Sequence, residues 1–146
     1  MTKVQIYTDG ACIPNPGIGG YGIILIYNEH RKELSGGYSL TTSNRMELIA
    51  AIEGLKALKF SCEVKLYTDS QYLVNTMTKN WKRKANIDLW HELDELSKQN
   101  HVEFQWVKDD SGHPENERFD FLVGKAAKKA NLPPDIGYRN LFCYLE

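Results

Sequence analysis

The tripeptide Tyr-Thr-Asp occurs twice, at Tyr7-Thr8-Asp9 and at Tyr67-Thr68-Asp69, and each copy closes a run of alternating apolar and polar residues. Val4, Ile6 and Thr8 share one face of the first run; Gln5, Tyr7 and Asp9 share the other. Val64, Leu66 and Thr68 likewise oppose Lys65, Tyr67 and Asp69. Equal runs have equal parity, so as neighbours in a parallel sheet, ~4.8 Å apart, they present both carboxylates on one face at one level. Two close anions repel unless a cation lies between them. The expected chemistry is therefore that of a metal site.

Two more acids have suggestive positions. Glu47 is expected in the first turn of a long helix, where a carboxylate suits the positive end of the helix dipole. Asp120 is expected near the start of the last helix, with Gly124 one turn on leaving open space. Oxygen-only ligands favour hard cations, Mg²⁺ or Mn²⁺. Two such ions ~4 Å apart can activate water and stabilise the leaving oxygen in phosphodiester hydrolysis. Each acid alone has a blander reading, as a turn residue or an ordinary first-turn acid. The repeated strand signature together with two helix-start acids favours chemistry.

The elements that must position these acids follow from periodicity. A strand ending at Asp9 leads to a dense turn signal over Ile13–Gly20, a buried strand over Tyr21–Tyr27, a turn at Asn28-Glu29-His30 and a third strand near Lys32–Leu40. Thr41-Thr42-Ser43-Asn44 supplies cap residues for a helix over Arg45–Lys59, with Leu48, Ala51, Ile52, Leu55 and Leu58 at helical spacing. A strand over Val64–Asp69 precedes a helix from Ser70, and Asp88 is expected to cap a further helix. Val102, Phe104 and Trp106 alternate as a fifth strand; a loop over Lys108–Glu115 then leads to a helix over Asn116–Ala130. Strands 1 to 3 suit an antiparallel meander, and helical crossovers favour strands 4 and 5 parallel to strand 1. The fold class is mixed α/β. The 146 residues fit one domain, with a core of about residues 3–130 and an irregular tail over 131–146.

A formal charge of −1 provides no global attraction to nucleic acid, so polyanion binding must use a local patch. Lys79, Lys82, Arg83 and Lys84 around Trp81 form such a patch, although charge runs are most often solvated surface. Trp81 and Trp90 read as packing residues rather than stacking platforms. Three widely spaced cysteines, Cys12, Cys62 and Cys143, match neither a zinc pattern nor a disulfide framework. With no leader segment or membrane-length apolar stretch read in the chain, the expectation is a soluble, cytoplasmic protein with no membrane partner, acting as a monomer.

Tyr7-Thr8-Asp9-Gly10, Asn15-Pro16-Gly17-Ile18-Gly19-Gly20-Tyr21-Gly22, Thr41 to Leu48, Thr68-Asp69-Ser70-Gln71-Tyr72 and Gly112 to Asp120 resemble, in order, the motifs of bacterial type 1 ribonuclease H. The resemblance runs from about Val4 to Ala130. It implies the mixed five-stranded ribonuclease H sheet and cleavage of the RNA strand of RNA–DNA hybrids, leaving 5′-phosphate and 3′-hydroxyl ends. Asp9, Glu47, Asp69 and Asp120 match the family's metal-binding acids. Asn15, Asn44 and Gln71 match positions that contact the hybrid's minor groove, where side-chain amides can read 2′-hydroxyls. Thr42, with Asn15, matches a pocket for a phosphate of the DNA strand. The alternative reading makes Asn15 a turn former and Ser43 or Asn44 a helix cap.

Two departures from the family pattern carry consequences. The basic segment is shorter than in the family's longer members, so Trp81, Lys82, Arg83 and Lys84 form a reduced hybrid-binding handle with a modest salt slope. Where the family has a histidine before the last helix, this chain has Asp110, and an exposed aspartate is a poor proton shuttle at neutral pH. Asp110 leaves three readings: a slower enzyme, an extra metal or water ligand shifting preference to Mn²⁺, or His113 taking over the role. An active but attenuated enzyme is the reading adopted. A hybrid-binding module without catalysis, and a DNA-directed enzyme of the same fold, are the competing functions.

Overall fold

The computed structural model describes residues 1–108, 123–129 and 131–139. Its elements, in chain order, are β1 (Thr2–Cys12), β2 (Gly17–Tyr27), β3 (His30–Thr41), α1 (Ser43–Lys56), β4 (Cys62–Thr68), α2 (Gln71–Lys79), α3 (Ile87–Gln99) and β5 (His101–Trp106). The five strands form one sheet in the order β3-β2-β1-β4-β5. β2 is antiparallel to both β1 and β3, whereas β4 runs parallel to β1 and to β5. The expected mixed sheet is the one observed.

The β1–β4 register is the structural fact on which the site depends. Val4 lies beside Val64, Ile6 beside Leu66, and Tyr7 beside Tyr67. The rings of Tyr7 and Tyr67 stack with centroids 4.7 Å apart and planes 13° from parallel. Two residues further along each chain, on the same face by strand parity, stand Asp9 and Asp69.

On the opposite face, Ile6, Ile23, Val64 and Leu66 are buried together with Leu48, Ala51, Ile52 and Leu55 of α1 and Leu89, Trp90 and Leu93 of α3. Each of the valine, leucine and isoleucine side chains contributes about 1.5–3 kcal/mol when taken from water. Gly10 lets α1 come close: a Cβ there would lie 2.6 Å from the Met46 carbonyl carbon. That contact brings the residue after Met46 up against the end of β1.

Several boundaries differ from the sequence expectation. β2 starts at Gly17 rather than Tyr21, because pairing with β1 on one side and β3 on the other overrides a local glycine-rich turn signal. α1 is capped by Thr42, whose side chain accepts from the Arg45 N–H; Ser43 and Asn44 are its first two residues, so neither is the cap. Glu47 is thus the fifth residue of α1, and the first turn carries no acid. Its placement owes nothing to the helix dipole, which acts within the first turn. Asp88 lies inside the first turn of α3 and is not its cap; left-handed Asn86 (φ 59°) precedes the helix. The Asp88 carboxylate is drawn instead to Arg45.

Residues 123–127 are helical, with Val123 and Ala126 buried as expected for the last helix. Within the tail, residues 136–139 form a helical turn where irregular chain was expected. No helix among the described residues is long and apolar enough to cross a membrane.

Candidate active site

Three of the four expected acids meet. Asp9, Glu47 and Asp69 each offer a carboxylate oxygen, and these oxygens lie within 4.8 Å of one another. Asp9 comes from β1, Glu47 from α1, and Asp69 from the residue that follows β4. Each is fixed locally. The Gly10 N–H donates to Asp9 Oδ1 at 2.9 Å. The Trp106 indole N–H donates to the Asp69 carbonyl at 3.1 Å, which holds the chain as it leaves the sheet. The Ser70 N–H donates to Thr68 Oγ1 at 3.1 Å, and that hydroxyl reaches Glu47 Oε2 at 3.4 Å.

Glu47 is buried, and burial holds its carboxyl well above the usual glutamate range. The charges of Asp69 and Asp9 push it in the same direction, against a smaller opposing bond from the Gly10 N–H. Burying mutually repelling carboxylates costs free energy in the folded chain, and a divalent cation among them removes the cost. The donor set is all oxygen, so the residues present fit a hard cation. Asp120 and Asp110 lie outside the described residues, as does His113. A Cβ on Gly124 would meet nothing within 4 Å among the described residues.

The expected substrate residues lie in the β1–β2 loop and at the starts of α1 and α2. Asn15 is exposed, and its Oδ1 accepts from the Ser43 N–H at 3.2 Å, tying the β1–β2 loop to the start of α1. Asn44 and Gln71, on the first turns of α1 and α2, are exposed. Thr42 is half-buried, and its hydroxyl accepts from the Arg45 N–H at 3.1 Å.

The basic segment divides. Lys79, Lys82 and Lys84 are exposed, but Arg83 turns inward. Its guanidinium pairs with both carboxylate oxygens of Asp94 and lies 5.2 Å from the centre of the Trp90 ring. Trp90 packs as expected, 1% exposed and edge-on to Tyr72. Trp81 does not: 49% of it is exposed, so the packing expectation fails for that residue.

Sequence reasoning missed Thr68 and Trp106 as supports of the acids. The available signal for Thr68 was a hydroxyl on the inward face of a strand, next to one of the paired aspartates. It also missed Arg45, 3% exposed, whose side chain meets Asp88 and the buried Asp135. A cation in register with Leu48 and Ile52 on the apolar face of α1 was the signal there.

A mixed sheet that brings a carboxylate of β1, one just past the end of β4 and one of α1 together defines an α/β protein with an acidic centre whose donor set fits a divalent cation. The RNase H family model matches residues 1–128. A ribonuclease H of Rippkaea orientalis is 53% identical, over 94% of this chain and 93% of the relative. One from Syntrophus aciditrophicus is 54% identical, over 93% and 87%. Among solved structures, a type 1 RNase H carrying the type 2 active-site motif is 30% identical with a TM-score of 0.75, covering 87% of this chain and 72% of that one. Another RNase H1, solved in complex with an RNA/DNA hybrid, is 26% identical with a TM-score of 0.76, covering 87% and 98%. The chain belongs to the ribonuclease H family, in its bacterial type 1 branch, and is a nuclease.

Proposed function

We propose that the chain hydrolyses the RNA strand of RNA–DNA hybrids at the Asp9–Glu47–Asp69 cluster, with Asp120 as a fourth acid and Mg²⁺, or Mn²⁺ in its place, held among them. The observation that carries this reading is the convergence of the three carboxylate oxygens within 4.8 Å. A hard divalent cation supplies, when bound, stabilisation of charge at phosphorus and a more acidic water. The protein's own groups do the rest. Asp9 and Asp69, fixed by the Gly10 N–H and the Trp106 indole, set the position of the reacting phosphate. Asn15, Asn44 and Gln71 select the hybrid through its 2′-hydroxyls, and Thr42 with Asn15 takes a phosphate of the DNA strand. Exposed Trp81, Lys82 and Lys84 add a modest handle; Arg83, spent on Asp94, shapes that segment from within.

In the reaction, water adds to phosphorus and the P–O3′ bond breaks. The departing oxygen takes a proton, leaving 5′-phosphate and 3′-hydroxyl ends. Asp110 in place of histidine lowers turnover without abolishing it. The chain acts as one domain and as a monomer. A cytoplasmic location accompanies this reading, supported by the free, buried thiols of Cys12 and Cys62.

The test is a labelled RNA–DNA hybrid beside duplex DNA and duplex RNA, each with Mg²⁺ or Mn²⁺. Cleavage of the hybrid alone, lost in Asp69→Asn, is expected. Tight hybrid binding without cleavage would point to a binding module, and cleavage of duplex DNA to the DNA-directed alternative.

A further inference from the structure

A second buried polar cluster lies at the other side of the start of α1. Arg45 Nε and Nη2 donate to the two carboxylate oxygens of Asp135, at 2.7 and 3.0 Å. Nη1 and Nη2 also donate to the two oxygens of Asp88, at 3.0 and 2.7 Å, and Nη1 reaches Asn86 Oδ1 at 3.4 Å. Asp135 is 4% exposed and also accepts from the Thr41 hydroxyl at 2.7 Å. One carboxylate in the tail thus joins the end of β3, the first turn of α1 and, through Arg45, the start of α3. The backbone holds the tail in place as well: the Ser39 N–H donates to the Pro133 carbonyl at 2.9 Å. Space around the cluster is tight. A Cβ on Gly137 would lie 2.1 Å from Asp88 Oδ2 and 2.4 Å from Arg45 Nη2.

What the cluster joins is informative. Arg45 stands between Asn44 and Glu47 on α1, and its own N–H is capped by Thr42. Asn86 ends the segment that bears Lys82 and Lys84. Two separate groups of proposed substrate contacts, one on α1 and one on the basic segment, are therefore linked through a single guanidinium. Only arginine has a planar fork able to hold two carboxylates at once; a lysine ammonium is a point charge.

We infer that Asp135 is a positioning residue for hybrid binding: by holding Arg45 it fixes the start of α1 relative to the basic segment, so that both engage one hybrid together. The inference rests on the hybrid-cleaving function proposed above. It concerns binding rather than chemistry, because Glu47 is held separately by Thr68.

The experiment is steady-state cleavage of a labelled hybrid by Thr41→Val, Gly137→Ala, Asp135→Asn and Arg45→Lys, each assayed well below its own melting temperature. Misplacement by about 1 Å can cost up to 10²-fold, so KM is expected to rise about tenfold in the last three variants, with kcat within about twofold of wild type. Thr41→Val, which removes one bond and leaves all charges, should raise KM about two- to threefold. If Asp135→Asn does not fold, Thr41→Val and Gly137→Ala decide the matter, since both keep every charge. A lowered melting temperature with wild-type KM and kcat means a structural role only and overturns the inference. So does a fall in kcat at constant KM, or a wild-type KM in Arg45→Lys. A wild-type chain that leaves the hybrid uncut would instead overturn the proposed function, which keeps the two failures distinct.

Discussion

Helix α1 carries two buried charges two residues apart, and they are treated in opposite ways. Arg45 is met by Asp135 and Asp88; burial works against its charge, but those bonds outweigh it and push the guanidinium up. Glu47 is met by Asp69 and Asp9, which add to the effect of burial and disfavour its charge. The first cluster is satisfied by the fold itself. The second brings together acids whose donor set fits a divalent cation. A like-charge cluster around one buried carboxyl, kept beside a cluster in which the buried charge is paired, marks where the chain gives up stability for chemistry.

The comparison is broken most severely by removing one acid. Asp69→Asn should lower hybrid cleavage by about 10³-fold or more, several kcal/mol of transition-state stabilisation, while leaving the melting temperature of the metal-free protein unchanged or higher. Loss of activity accompanied by a large fall in melting temperature would mean that Asp69 is structural. Arg45→Ala should do the reverse and cost about 3–5 kcal/mol of stability in urea unfolding, because it leaves two carboxylates facing an empty site. A change under 1 kcal/mol would contradict the charge-paired reading of that cluster.

pH sharpens the contrast, because the two regions titrate in opposite senses. The folded pKa of Glu47 is raised, so its contribution to stability is fully present below the ordinary glutamate pKa and is lost as pH rises through the folded value. In the metal-free protein, Glu47→Gln should remove that loss and add about 0.5–2 kcal/mol at neutral pH, while abolishing cleavage. Asp88 is held below the usual range, first by its bonds from Arg45. Its contribution is present above the ordinary aspartate pKa and lost as pH falls through the folded value; half-exposed as it is, the effect should be small. Denaturant melts of the wild type and Glu47→Gln across pH 4 to 8 would read both slopes.

Smaller effects are expected at two further positions. Asp110→His should raise turnover at neutral pH several-fold, since imidazole titrates there and an exposed carboxylate does not. Unchanged or lower turnover would count against a proton-transfer role for that position. Lys82→Ala, at an exposed lysine, should reduce the slope of log affinity against log salt by about one. An unaltered slope would remove Lys82 from the interface.

What the sequence made legible depended on range and period. The Tyr-Thr-Asp repeat carried the β1–β4 register because period-two alternation and equal run lengths leave little freedom in how the two strands align. Glu47 was found for a partly wrong reason. It reaches Asp9 because α1 packs on Gly10, not because it sits at a helix start. The Arg45–Asp135 pair joins residues 90 apart across a segment without periodicity, and no local pattern announces such a pairing. Arg83 and Trp81 show the same limit in a charged run: only the tertiary structure tells that the arginine turns in to Asp94 while the tryptophan stays out. Asp120 rests on its expected helix-start position and on the resemblance, and Asp110 on the resemblance alone; both lie outside the described residues.

The central claim is that β1, the residue following β4 and α1 bring their acids to a common divalent ion. Anomalous diffraction from a crystal soaked in Mn²⁺ tests it without recourse to activity. The account predicts a manganese peak shared by Asp9, Glu47 and Asp69, lost in Asp69→Asn; manganese bound elsewhere, or none between those side chains in a well-ordered crystal, would contradict it.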